Sequence, residues 1–176
     1  MRIALFGGSF DPPHWGHVLA ATYAYVSGRV DAVWVMPVDQ HAYAKPLASW
    51  DRRWQLCEAA FQGLAFVTVR DDERSNQGGY TFNLVTRLRA ERPDVEWCLV
   101  GGSDTVEDMR RWHRGAELAR LVEVIVVPRR GYDDHPAALP EISSSAIRDL
   151  LAAGGAVQDL MPPRVWELIA TNGWYR

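Results

Sequence analysis

Lysine is nearly missing from this 176-residue chain: Lys45 alone stands against 18 arginines, and 19 basic residues face 22 acidic ones for a net charge of -3. Without a cationic surplus there is no bulk footprint for nucleic acid or anionic lipid, although a local basic pocket is still allowed. Cysteine is equally scarce. Cys57 and Cys98 are too few for a disulfide framework or a zinc cluster, and each sits in an apolar stretch, WQLCEAAF and VEWCLV, as a small buried hydrophobe in a reducing compartment would. No apolar run approaches the roughly 20 residues of a membrane span, and no charged segment precedes an apolar one near the start, so a cytoplasmic protein is expected. Repeats and low-complexity segments are absent as well. Neither the dinucleotide fingerprint G-x-G-x-x-G nor a P-loop occurs, which argues against a redox dinucleotide module.

What the chain does have is apolar bulk. Hydrophobic residues make up 48% and include eight tryptophans, enough for a core without a staple of disulfide or metal, so residues 1–176 read as a single domain. Short, largely continuous apolar runs at residues 3–6, 32–36, 65–69, 95–100 and 121–127 predict buried strands of a parallel sheet. The runs end at Gly7-Gly8, Pro37, Gly101-Gly102 and Pro128. Helical spacing covers about residues 15–27, 50–62, 81–92, 105–120, 144–153 and 163–171. Alternation of this kind predicts an α/β fold: a doubly wound, Rossmann-like domain with a parallel sheet of roughly five strands. Its ligand edge lies beyond the carboxyl ends of the strands. Three loop-like segments, at residues 39–48, 71–79 and 129–142, each follow a predicted strand and so fall on that edge.

The most informative stretch leads from the first strand into the first helix: Gly7-Gly8-Ser9-Phe10-Asp11-Pro12-Pro13-His14-Trp15-Gly16-His17. Paired glycines let backbone approach an anion, and a helix start aims free N–H groups at it. His14 and His17, three apart in the first turn, share one face, which suits charge developing on a phosphate leaving group. A second stretch, Ile142-Ser143-Ser144-Ser145-Ala146-Ile147-Arg148, offers serine N-caps and an arginine one turn inside, again a phosphate-binding pattern. His41, His113 and His135 are scattered with no cysteine close in sequence, so no histidine metal centre is expected.

Together, GGSFDPPHWGH and ISSSAIR resemble the marks G-G-[ST]-F-D-P-x-H-x-G-H and I-S-S-[ST]-x-I-R of a nucleotidyltransferase family, most closely the bacterial nicotinate-mononucleotide adenylyltransferases. Asp71-Asp72-Glu73-Arg74, then Gly79-Tyr80-Thr81 and Thr86, is similar to the family's acidic and tyrosine-threonine segments. Gly102-Ser103-Asp104-Thr105 and Trp112 match two further marks. The resemblance implies transfer of the adenylyl group of ATP to a pyridine mononucleotide, with Mg²⁺ held mainly by the phosphates. It implies that His14, His17 and Arg148 carry catalysis and that Gly7, Gly8, Ser9, Phe10, Ser143 and Ser144 complete the ATP site. Gly102 and Asp104 would engage the ATP ribose. Lys45, Tyr80, Thr81 and Trp112 would bind the acceptor, with the indole stacked on its ring. Nicotinamide mononucleotide, phosphopantetheine and a non-catalytic nucleotide-binding domain are the alternatives, and homo-oligomerisation is left open. Three positions depart from the family pattern: His113 replaces an aromatic residue, Gly79 a serine, and Arg129-Arg130-Gly131 lacks a proline.

Overall fold

The computed structural model describes residues 1–40, 46–128 and 135–175, apart from the side chain of Asp104. Strands β1 (Arg2–Gly8), β2 (Ala32–Pro37), β3 (Val67–Val69), β4 (Glu96–Gly102) and β5 (Glu123–Val127) form one sheet in the order β3-β2-β1-β4-β5. Every neighbouring pair is parallel. Helices α1 (Trp15–Ser27), α2 (Trp50–Phe61), α3 (Thr81–Glu91), α4 (Ser103–Met109), α5 (Gly115–Leu121), α6 (Ser144–Ala152) and α7 (Pro163–Asn172) cover it. The chain runs outward from β1 to β3, returns, and continues through β4 to β5. The order therefore reverses between β1 and β4, where an open α/β sheet has its binding crevice.

Successive strand residues point to opposite faces, and both faces are buried. Ala4, Val33, Val35, Cys98 and Val100 join the core that α1, α2, α6 and α7 close, while Ile3, Leu5, Trp34, Met36, Trp97 and Leu99 join the core under α3 and α5. That two-sided burial is why β1, β2 and β4 are largely apolar rather than alternating, whereas the edge strands β3 and β5 keep exposed positions. Both cysteines are fully buried in the first core.

Three expectations need correction. The first and fourth strands do not stop before their glycines: Gly7 and Gly8 pair with Met36 and Pro37, and Gly101 and Gly102 with Val126 and Val127. A parallel ladder needs only backbone groups, so the glycines prolong it and leave bare backbone at the crevice. The expected helix over 105–120 is two helices. Gly115 packs so tightly that a Cβ there would lie 1.8 Å from the Met109 carbonyl oxygen, and Arg114 before it adopts φ +52°, so the chain turns sharply between α4 and α5. Finally, Ala65 and Phe66 precede β3 rather than belonging to it, and Leu121 ends α5.

Candidate active site

His14 is the N-cap residue of α1 and is buried, 5% exposed. Its backbone N–H donates to Nδ1 of His17 at 3.2 Å, so a neutral His17 ring carries its proton on Nε2. The two imidazoles lie 3.9 Å apart between centroids, as the spacing of three predicts. Phe10 packs on His17 at 4.8 Å and Phe6 on Phe10 at 5.4 Å, which fixes the outer face of the pair. The glycine between the histidines has a steric reason: a Cβ on Gly16 would fall 2.9 Å from the His14 ring.

The second motif is drawn onto the first. Ser143 caps α6 by accepting from the Ala146 N–H. Ser144 Oγ donates to the Pro12 carbonyl at 2.9 Å, and Arg148 Nη1 donates to the Asp11 carbonyl at 2.6 Å. Residues more than 130 positions apart thus frame a cavity of about 350 Å³, lined by Phe6, Ser9, Phe10, His14, His17, Gly102, Ser143, Ser144 and Arg148 among others. Its polar side chains carry imidazole, hydroxyl and guanidinium groups, a donor set suited to phosphate oxygens.

A buried polar network that sequence reasoning missed supports this turn. Asp11, 3% exposed, accepts from the Ala48 N–H at 3.1 Å through Oδ2 and from the Tyr175 hydroxyl at 2.7 Å through Oδ1. Arg53, 1% exposed on α2, donates through Nε to the Ala48 carbonyl at 2.9 Å and through Nη1 to the Ser9 carbonyl at 3.0 Å. Burial pulls the Arg53 pKa down, and the nearby Asp11 charge opposes that shift. Burial also pushes the Tyr175 hydroxyl up, reinforced by its bond to Asp11, so it stays a donor. The only sequence signal for Arg53 was a charge on the same helical face as Leu56 and Cys57, both fully buried.

A second cavity, about 580 Å³, opens on the other side of the β1 terminus. Gly7, Gly8, Ser9, Tyr80, Thr81, Thr105, Trp112 and His113 line it, along with Glu73. The break between α4 and α5 is what delivers Trp112 and His113 to it. Tyr80 and His113 rings pack 4.4 Å apart, so His113 keeps a flat ring on the cavity wall. The two cavities share Ser9 and Val100. Gly7 and Gly8, expected beside ATP, therefore face the second cavity, and Ser9 faces both. Asp104 lies in the first turn of α4, beside Gly102. Lys45 falls outside the described residues.

Two cavities meet at the switch point of a parallel sheet, one of them ringed by imidazole, hydroxyl and guanidinium groups, as suits a nucleotide-binding α/β domain. Residues 5–150 match the cytidylyltransferase-like family, and the chain belongs to it. A probable nicotinate-nucleotide adenylyltransferase of Myxococcus xanthus is 39% identical over 183 aligned positions, covering 99% of this chain and 95% of that protein. The protein of the same name in Bacillus cereus strain AH187 is 31% identical, covering 99% and 98%. Among solved structures, the Plasmodium falciparum nicotinic acid mononucleotide adenylyltransferase complexed with NaAD superposes with a TM-score of 0.85, covering 99% of this chain and 97% of that one. At 19% identity it attests the shared fold.

Proposed function

We propose that this chain transfers the adenylyl group of ATP to nicotinate mononucleotide, giving nicotinate adenine dinucleotide and pyrophosphate in NAD biosynthesis. The observation that supports this best is the junction of the two cavities at Ser9 and Val100, where two nucleotides bound on opposite sides of β1 would bring their phosphates together. ATP occupies the cavity of the two histidines, its ribose toward Gly102 and Asp104 and its phosphates against Ser9, Ser143, Ser144 and Arg148. The acceptor occupies the second cavity, its ring against Trp112 and Tyr80, with Thr81 at the wall and Lys45 reaching phosphate.

An acceptor phosphate oxygen attacks the ATP α-phosphorus in line as the bond to pyrophosphate breaks. Because that oxygen is already ionised near neutral pH, no general base is needed, and catalysis consists of alignment and charge stabilisation. The His17 Nε2–H and the Arg148 guanidinium donate to the oxygens on which charge builds, while His14 orients His17 through its backbone N–H. Among the described residues no three His, Cys, Asp or Glu side chains converge as a metal-binding group. Mg²⁺ would be held mainly by the ATP phosphates, where it would neutralise developing charge. Also part of the proposal are a single domain spanning residues 1–176, with its C-terminal helix and Tyr175 bracing the active-site turn, and a cytoplasmic location. No helix among the described residues is long and apolar enough to cross a membrane.

The test is pyrophosphate release from ATP and Mg²⁺ with nicotinate mononucleotide, nicotinamide mononucleotide and phosphopantetheine in parallel. Highest kcat/KM with nicotinate mononucleotide is expected. A preference for either other acceptor overturns the acceptor assignment, and ATP binding without release from any of them overturns transfer itself.

A further inference from the structure

Among the described residues the acceptor cavity has one acidic side chain, and the mechanism above gives it no task. Glu73, in the turn Asp72–Ser75 after β3, is 5% exposed and lines the second cavity. Its neighbour Asp72 is fully engaged, with Arg70 at 2.9 Å and Arg87 at 3.7 Å. Glu73 is different. Among the described residues no cation lies within 4.0 Å of its carboxyl, whose one hydrogen bond comes from Asn76 Nδ2 to Oε2 at 2.7 Å. The same amide donates to the Tyr80 carbonyl at 3.3 Å, which locks the pair to the start of α3 and, among the described residues, leaves Oε1 of this cavity-lining carboxyl without a donor. Burial pushes the carboxyl pKa up, against the Asn76 hydrogen bond and the Arg87 charge.

A buried carboxyl with spare acceptor capacity is costly unless a bound molecule supplies the donor. A pyridine mononucleotide offers few. Its phosphate and the ring carboxylate of the nicotinate form are acceptors of like charge, and Glu73 would repel both. The ribose has two hydroxyl donors, and an acidic side chain reading ribose hydroxyls is a recurring device of α/β nucleotide sites.

Resting on the acceptor assignment above, we infer that Glu73 is a specificity-determining residue that accepts a hydrogen bond from a ribose hydroxyl of the acceptor mononucleotide. It thereby orients that nucleotide with its phosphate turned away from the carboxyl, toward Ser9 and the histidines.

The experiment compares nicotinate mononucleotide with its 2′-deoxy and 3′-deoxy analogues, using wild type, Glu73→Leu and Glu73→Gln, with KM and kcat read for each substrate by pyrophosphate release. In wild type, one of the two deoxy analogues should show an acceptor KM raised on the order of tenfold, the loss of one such hydrogen bond. Glu73→Leu should show a comparable rise for the parent acceptor, no further rise for that analogue, and an unchanged KM for ATP. Glu73→Gln retains an acceptor oxygen and should recover most of the affinity. The wild-type arm needs no variant, so a poorly folding substitution leaves the inference exposed to test. Equal KM values for all three acceptors in wild type, or full discrimination retained by Glu73→Leu, overturn it. Pyrophosphate release with those results leaves the acceptor assignment standing and removes only the role of Glu73; no release with any pyridine mononucleotide removes both.

Discussion

The hydroxyl of Tyr175, one residue from the end of the chain, donates a 2.7 Å hydrogen bond to Oδ1 of Asp11, in the turn that carries the histidine pair. Asp11 binds the Ala48 N–H through its other oxygen and Arg148 through its backbone carbonyl. The end of the chain and the segment before α2 therefore meet on one buried carboxylate, and α6 joins them through Arg148 on the backbone carbonyl of the same residue. Tyr175→Phe removes a single donor while keeping the ring. We expect a loss of about 1–3 kcal/mol in folding free energy, as for a buried acceptor deprived of its partner. ATP KM should rise with it, because the turn that places His14 and Arg148 loosens. Urea denaturation and steady-state kinetics check the two effects.

Gly16→Ala tests the steric reading of the glycine between the histidines. A methyl group 2.9 Å from the His14 ring forces the imidazole out of its position against His17. Turnover should fall at least tenfold while circular dichroism stays native, since α1 tolerates alanine well. An unchanged kcat would show that the His14 ring position is not critical.

Glu73 should make stability depend on pH in a definite direction. Its pKa is raised in the folded protein, so the folded state binds that proton more tightly than the unfolded chain does. The associated stability is present below the ordinary glutamate value of about 4.3 and is lost as pH rises through the folded value. Glu73→Gln cannot titrate. Its melting temperature relative to wild type should therefore be lowest near pH 4 and climb toward pH 8, as scanning calorimetry at several pH values would show.

The cysteines should be inert in the native protein. Burial pushes Cys57 well above the usual thiol range and Cys98 up to about 11, the latter against the Arg2 charge. Iodoacetamide at neutral pH should label both on the order of 10²-fold more slowly than in denaturant, because the thiolate is the reactive form.

How much of this was legible in the sequence depends on the kind of force involved. β1, β2 and β4 could be read because burial on both faces writes a largely apolar run, and the edge strand β5 because residues 124–127 are apolar although Val126 is exposed. The pairing of His14 with His17 followed from helical spacing alone. The break between α4 and α5 was hidden because its cause, the approach of Gly115 to the Met109 carbonyl, is a contact between turns rather than a residue type that forbids helix. Arg53, Asp11 and Tyr175 were missed for a related reason. A buried polar residue is recognisable only with its partners, and Tyr175 lies 164 positions from its own. Glu73 stood in a segment identified as acidic, but nothing in the sequence separates it from Asp72, which the fold pairs with two arginines.

The central claim is that His17 stabilises charge on the departing pyrophosphate where the two cavities meet. Single-turnover formation of nicotinate adenine dinucleotide by wild type and His17→Ala, with ATP and nicotinate mononucleotide saturating, tests it most directly. Loss of one preorganised donor predicts a rate lowered on the order of 10²- to 10³-fold, with ATP affinity changed far less. An undiminished rate in the variant would contradict the account.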